Sequence, residues 1–99
     1  MAKVNAWKSD SEGPFIEMDL GEKKDYSLDW TDYPGLVTLS NVVWTINANL
    51  QKITQAEVGK VTQVLLFANG LKGVWPCSLE FTDVSGVPKE IFHFRVVVR

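Results

Sequence analysis

Cysteine, histidine and long apolar runs are all but missing from this chain, and each shortage closes off a class of chemistry. One cysteine, Cys77, in 99 residues has no intramolecular partner, so no disulfide framework holds the fold, as suits a reducing cytoplasm. One histidine, His93, beside that single cysteine cannot assemble a closed zinc site from nitrogen and sulfur ligands. No segment approaches the ~20 apolar residues that cross a bilayer. Met1 to Asp10, with Lys3, Asn5 and Lys8, lacks the apolar run of a signal peptide. The expectation is synthesis in a cytoplasm with no membrane partner. Clustered charge of one sign is scarce too. Ten basic residues stand against 12 acidic ones, net −2, and the basic residues are too scattered to neutralise a run of phosphates, which argues against nucleic acid.

What is present is apolar alternation. Ninety-nine residues with 45% hydrophobic and 22% charged side chains have the composition of one ordinary globular domain. The chain is organised around Asp25 to Asp32, where Tyr26, Leu28 and Trp30 share one face of a strand. Val42, Trp44 and Ile46 share one face of a second strand over Val42 to Ile46. Two large indoles aimed at one interior predict sheet packed on sheet. Tyr33-Pro34-Gly35 ends the first strand, and Leu36 to Leu39 leads into the second.

Before these strands, residues 1–13 read as an N-terminal arm and residues 14–99 as the sandwich domain. Ser9 to Gly13 has loop composition. Trp7 is the exception in the arm, since an indole packs either on its own domain, the commoner outcome for an aromatic, or on a partner. Pro14 to Leu20 alternates weakly and starts with proline, as an edge strand can.

Beyond the second strand, Asn47-Ala48-Asn49 reads as a turn. Leu50 to Ile53 reads as a short strand and the following residues as a loop, because Gly59 comes too soon for a helix begun at Thr54. Val61 to Phe67 is rich in β-formers and runs into Asn69-Gly70, a hairpin signal. From Gly73 onward Trp75, Cys77, Leu79 and Phe81 share one face. Ser85-Gly86-Val87-Pro88 is a turn, and Ile91 to Val98 puts Phe92, Phe94, Val96 and Val98 inward and His93, Arg95 and Val97 outward. The sum is an all-β, antiparallel β-sandwich of about seven strands.

Chemical signatures are thin. Asp25, Asp29 and Asp32, with Asp19 nearby, form one carboxylate cluster, but the ordered spacing of a calcium loop is missing. The alternating acids fit a solvated strand face. No burial supports raising one carboxyl pKa for glycosidic cleavage. His93 lies mid-strand between two phenylalanines, with no G-x-S-x-G elbow for a triad. Asn69 to Gly73 lacks P-loop spacing. Trp30, Trp44 and Trp75 fall on inward faces, which favours core over sugar platform. No catalytic residue, cofactor or metal site is expected, and no small-molecule ligand.

The succession Asp25-Tyr26-Ser27-Leu28-Asp29-Trp30, then Ser40 to Trp44-Thr45-Ile46, then Thr62-x-Val64-x-Leu66, a Gly70/Gly73 turn and a final aromatic-rich strand resembles the small fibre-tail adaptor proteins of tailed bacteriophages. In that family a D-Y-x-x-D-W strand precedes an S-x-x-W-T-V strand, and a T-x-x-W-L-x-G-G-x-x-G-x-x-Y segment follows. The likeness covers Lys24 to Arg99. Phe67-Ala68-Asn69-Gly70 departs from the Gly-Gly context, Trp75-Pro76 stands where a tyrosine is expected, and Met1 to Leu20 has no clear counterpart.

The resemblance implies an immunoglobulin-like or fibronectin-III-like sandwich, a non-enzymatic structural part of the virion tail that links tail or baseplate to fibre proteins and is multimeric there. The alternative is a carbohydrate-binding or adhesin-type module touching the host surface. For an adaptor, exposed strand edges suit strand addition, and the candidate partner-binding residues are Trp7, Phe15, Ile16 and Met18.

Overall fold

A strand with one apolar face is stable only against a second apolar face, so alternating strands must stack in two layers. The computed structural model describes residues 2–4, 7–87 and 89–99. Its strands are β1 (Ala2–Val4), β2 (Lys8–Asp10), β3 (Gly13–Met18), β4 (Lys23–Asp29), β5 (Leu39–Thr45), β6 (Gln51–Val58), β7 (Val61–Phe67), β8 (Gly73–Asp83) and β9 (Lys89–Val98). One sheet has the order β1-β4-β7-β6 and the other β2-β3-β9-β8-β5. The fold is all-β, a two-sheet sandwich.

The core lies where the inner faces meet. Tyr26 and Leu28 of β4, followed by Trp30, are at most 1% exposed, as are Val64 and Leu66 of β7 and Leu79, Phe81 and Val96 from the other sheet. Trp30 is the hub. Its ring packs 4.7 Å from that of Phe81 and 5.6 Å from that of Phe92, and its Nε1 donates to Thr62 Oγ1 at 3.0 Å. A buried indole N–H needs such an acceptor, because an unmet donor carries its full desolvation cost. Trp44 is also buried, while Val42, Ile46 and Trp75 are half-buried against the core.

Five expectations are corrected. Ser9 to Gly13 is not a loop throughout: Lys8–Asp10 forms β2 and pairs antiparallel with β3 through a turn that Gly13 leaves at φ 106°. With β2 outside it, β3 is an interior strand rather than an edge. Its other neighbour is β9, in parallel register from Phe15 opposite Arg95 to Met18 opposite Val98, so the sandwich is not purely antiparallel.

Leu50 to Val58 holds more strand than expected, since β6 runs to Val58. The reason is the next turn: Val58 pairs with Val61 across Gly59-Lys60, with Gly59 at φ 60°, as a two-residue hairpin requires of its first central residue. Asn69-Gly70 closes no hairpin, because β7 and β8 belong to different sheets. Gly70 is needed for a different reason. A Cβ there would lie 2.5 Å from the Asn49 carbonyl oxygen.

At the turn after β8, Gly86 N donates to Asp83 O at 2.8 Å; Pro88, expected as the last residue of that turn, lies outside the described residues. So do Met1, Asn5 and Ala6 of the arm.

Candidate functional site on the outer face of the five-stranded sheet

Strand register assembles this surface in rows. Val97 of β9 lies between Glu17 of β3 and Val74 of β8, and Arg95 lies between Phe15 and Pro76. Further along, Ser78 lies between His93 and Thr45, and Glu80 between Ile91 and Val43. Odd residues of β9 and even residues of β8 therefore share one outward face. Val43, Val74 and Ile91 are 52%, 53% and 46% exposed on it.

The charges of these rows are paired off. Arg95 donates to Asp10 Oδ1 at 2.5 Å, to Glu12 Oε2 at 3.1 Å and to Gly13 O at 3.0 Å, with its guanidinium 5.1 Å from the Phe15 ring centroid. Glu17 accepts Lys8 on one oxygen and Arg99, at 2.6 Å, on the other. Lys89 lies 2.8 Å from Glu80. The backbone N–H of Glu12 and then the Arg95 guanidinium hold Asp10 below the usual carboxylate range. For Glu17 the Lys8 hydrogen bond and then the Arg99 charge do the same. Such exposed pairs add little stability. Their effect is local: they dock β2 onto the sheet and leave a face with little net charge around its apolar rows.

At one side of this face a shallow hollow of about 340 Å³ is lined by Thr45, Ile46, Asn47, Pro76, Cys77, Ser78 and His93. His93 is exposed, as a strand residue on the outer face should be. Cys77 is buried, and burial pushes its thiol pKa up, which disfavours the nucleophilic thiolate. Asp29 of the carboxylate cluster accepts both the N–H and the hydroxyl of Thr31. Among the described residues, no group of three or more His, Cys, Asp or Glu side chains is placed to hold a metal ion.

The four residues expected to touch a partner are split by the structure. Phe15 alone belongs to this face, half-buried beneath Arg95. Ile16 and Met18, 0% and 2% exposed, point into the core and present no surface, because alternation along β3 sends them opposite to Phe15. Trp7 packs on its own domain. Its ring meets Tyr26, Phe92 and Phe94 edge-on at 6.3, 5.7 and 5.2 Å, and its Nε1 donates to Ser27 O at 2.9 Å.

No protein-family model matches the chain. No curated protein matches it in sequence either.

Val43, Val74, Pro76 and Ile91 are the surface residues that strand reasoning passed over. Alternation assigns each to an outward face, but only register shows that those faces are adjacent. The strand edges are a weaker site than expected. β6 turns Lys52, Gln55 and Glu57 to the inner side, opposite Leu66, Val64 and Thr62, and is bulged between Lys52 and Thr54. β5 is bulged between Ser40 and Val43, with Asn41 at φ 52°. Inward charges, bulges and the three-residue length of β1 and β2 are all devices that blunt edge-to-edge pairing. Among the described residues no helix is long and apolar enough to cross a membrane.

Proposed function

We propose that this chain is an immunoglobulin-like structural domain of a tailed-bacteriophage virion, an adaptor that joins tail or baseplate to fibre proteins by protein–protein contact. The fold part of the reading is supported by strand order. Sheets β1-β4-β7-β6 and β9-β8-β5 follow the A-B-E-D and G-F-C arrangement of that architecture, and Trp44 is the buried tryptophan of its third long strand. Where that architecture places a tyrosine two residues before the cysteine of the F strand, this chain has Trp75 before Cys77. The Trp75 Nε1 donates back to Leu71 O at 3.0 Å, as the tyrosine hydroxyl does to upstream backbone. The phage part of the reading is supported by the residues Asp25 to Trp30 and Trp44 to Ile46.

The observation that carries the adaptor role is the outer face of the five-stranded sheet, where exposed Val43 and Ile91 flank Glu80, and Val74 lies in a row further along, among charges already paired within the chain. Exposed apolar residues among neutralised charges can anchor a protein partner. A sugar platform would call for exposed, coplanar aromatics, whereas Trp30 and Trp44 are buried and Trp7 and Trp75 half-buried.

The test is affinity capture on the tagged chain from lysate of phage-producing bacteria, with uninduced lysate as control, followed by mass spectrometry. Tail or fibre proteins in fixed stoichiometry, lost with Val43→Lys/Ile91→Lys, are the expected result. Retention on host polysaccharide with no virion protein recovered would replace the adaptor by the glycan-binding module.

A further inference from the structure

The two ends of the sandwich differ in charge and in exposed apolar side chains. Strand directions place three connections at one end: residues 30–38, the Gly59-Lys60 turn and the turn after Asp83. They are fastened together. Trp30 N donates to Lys60 O at 2.8 Å, and the buried Asp83 accepts from Val37 N and Thr38 N at 2.7 and 2.8 Å while also holding Ser85. On this frame stand Val37, Val58, Val84 and Val87, 72%, 63%, 71% and 75% exposed. Single exposed valines are ordinary; four sharing one braced end are an unusual concentration. Among the described side chains at this end Asp29, Asp32, Glu57 and Glu90 outnumber Lys60 and Lys89, and Lys89 is already engaged by Glu80.

At the opposite end lie residues 19–22, 46–50 and 68–72 and the close of β9. Here the balance reverses, with Lys23, Lys24, Lys52 and Lys72 against Asp19 and Glu22. Leu20, Leu71 and Val74 are 44%, 66% and 53% exposed beside them.

We propose that the chain associates with further copies of itself head to tail, the acidic valine-tipped end of one copy docking on the lysine- and leucine-bearing end of the next. Complementary charge steers and orients such a contact, whereas a two-fold contact of either end with itself would set like charges together. Two different patches meeting make a heterologous interface, which propagates into a ring or a filament rather than closing as a dimer. The part of the adaptor's partner face around Val43 and Ile91, on the flat of the five-stranded sheet, stays free in this arrangement, whereas Val74 lies at its border with the lysine-bearing end.

Sedimentation velocity of the purified chain tests this across a concentration series, at low salt and near 1 M salt, where the screening length falls to about 3 Å. Mass rising beyond the dimer at low salt, with association weakened about ten-fold or more by high salt, is expected. Asp32→Lys/Glu57→Lys and Lys52→Glu/Lys72→Glu should each be monomeric alone, and an equimolar mixture should associate again because each then supplies the sign the other lost. Val84→Ser/Val87→Ser should weaken association at either salt. A monomer at all concentrations overturns the proposal, and so does association that both charge reversals leave unchanged. The salt series on the unaltered chain decides the matter even where a variant fails to fold.

Discussion

Two buried polar arrangements show how single residues hold this sandwich. Asp83 is 4% exposed yet ionised, because the N–H groups of Thr38 and Val37, then the N–H and hydroxyl of Ser85, donate to its carboxylate. These bonds hold its pKa well below the ordinary 3.8. A depressed carboxyl pKa contributes stability that is fully present above the unfolded-state value and is lost as pH falls through the folded-state value. Asp83→Ala should therefore lower the thermal midpoint at neutral pH, and the gap from the unaltered protein should narrow under acid below that ordinary value. A gap independent of pH would refute the charge-based account.

The indoles make a second contrast. Trp30 Nε1 has Thr62 Oγ1, whereas Trp44 Nε1 is buried with no acceptor among the described residues. Thr62→Val orphans the Trp30 donor and should cost about 1–3 kcal/mol in urea unfolding. Trp44→Phe removes an orphan along with some volume. It should cost less than Trp30→Phe, which leaves the Thr62 hydroxyl donating to Leu28 O but takes away the donor its oxygen accepts from.

At the scale of elements, turns and the arm set the pairing. Gly70 and Gly59 are both turn glycines, for opposite reasons. Gly70 lacks room, its Cβ position being 2.5 Å from Asn49 O, whereas Gly59 has open space but a φ of 60°. Gly59→Ala should cost about 1–2 kcal/mol from left-handed strain alone. Gly70→Ala should cost as much or more, because backbone must shift, and paired denaturation curves check the order.

Among the described side chains of the arm, Trp7 joins the core. Trp7→Ala should destabilise by about 3 kcal/mol, the low end of the range for large aromatics, since Trp7 is only half-buried. A loss of a few tenths of that in the same unfolding assay would show the arm to be an accessory rather than a wall of the sandwich.

For the whole molecule, stability is unevenly spread. β4, β7, β8 and β9 each have neighbours on both sides and one buried face, whereas β6 pairs only with β7 and is exposed along nearly all of its length. Local opening follows the number of buried apolar contacts. Amide exchange should be fastest, among the strands of six residues or more, in β6, and slowest in β7, β8 and β9. Uniform protection across both sheets would contradict the picture of a rigid centre with a loosely held edge.

Period-two alternation is local information, so Tyr26, Leu28 and Trp30, and equally Phe92, Phe94, Val96 and Val98, could be assigned inward from the chain alone. With them came the all-β class, the two-layer core and the outward position of His93. Neighbour relations are another matter. Nothing in Pro14 to Leu20 states that β3 lies parallel to β9 and is flanked by β2. Nor does Asn69-Gly70 announce a passage between sheets instead of a hairpin.

Hydrogen bonding between strands depends on pairing energies summed over residues far apart in the chain, and a turn motif constrains only its own few residues. The candidate face follows the same logic. Val43, Val74 and Ile91 are each visible as outward residues, but their placement on one sheet face, the pairing of Arg95 with Asp10 and Glu12, and the burial of Ile16 and Met18 arise only when long-range register brings the strands together.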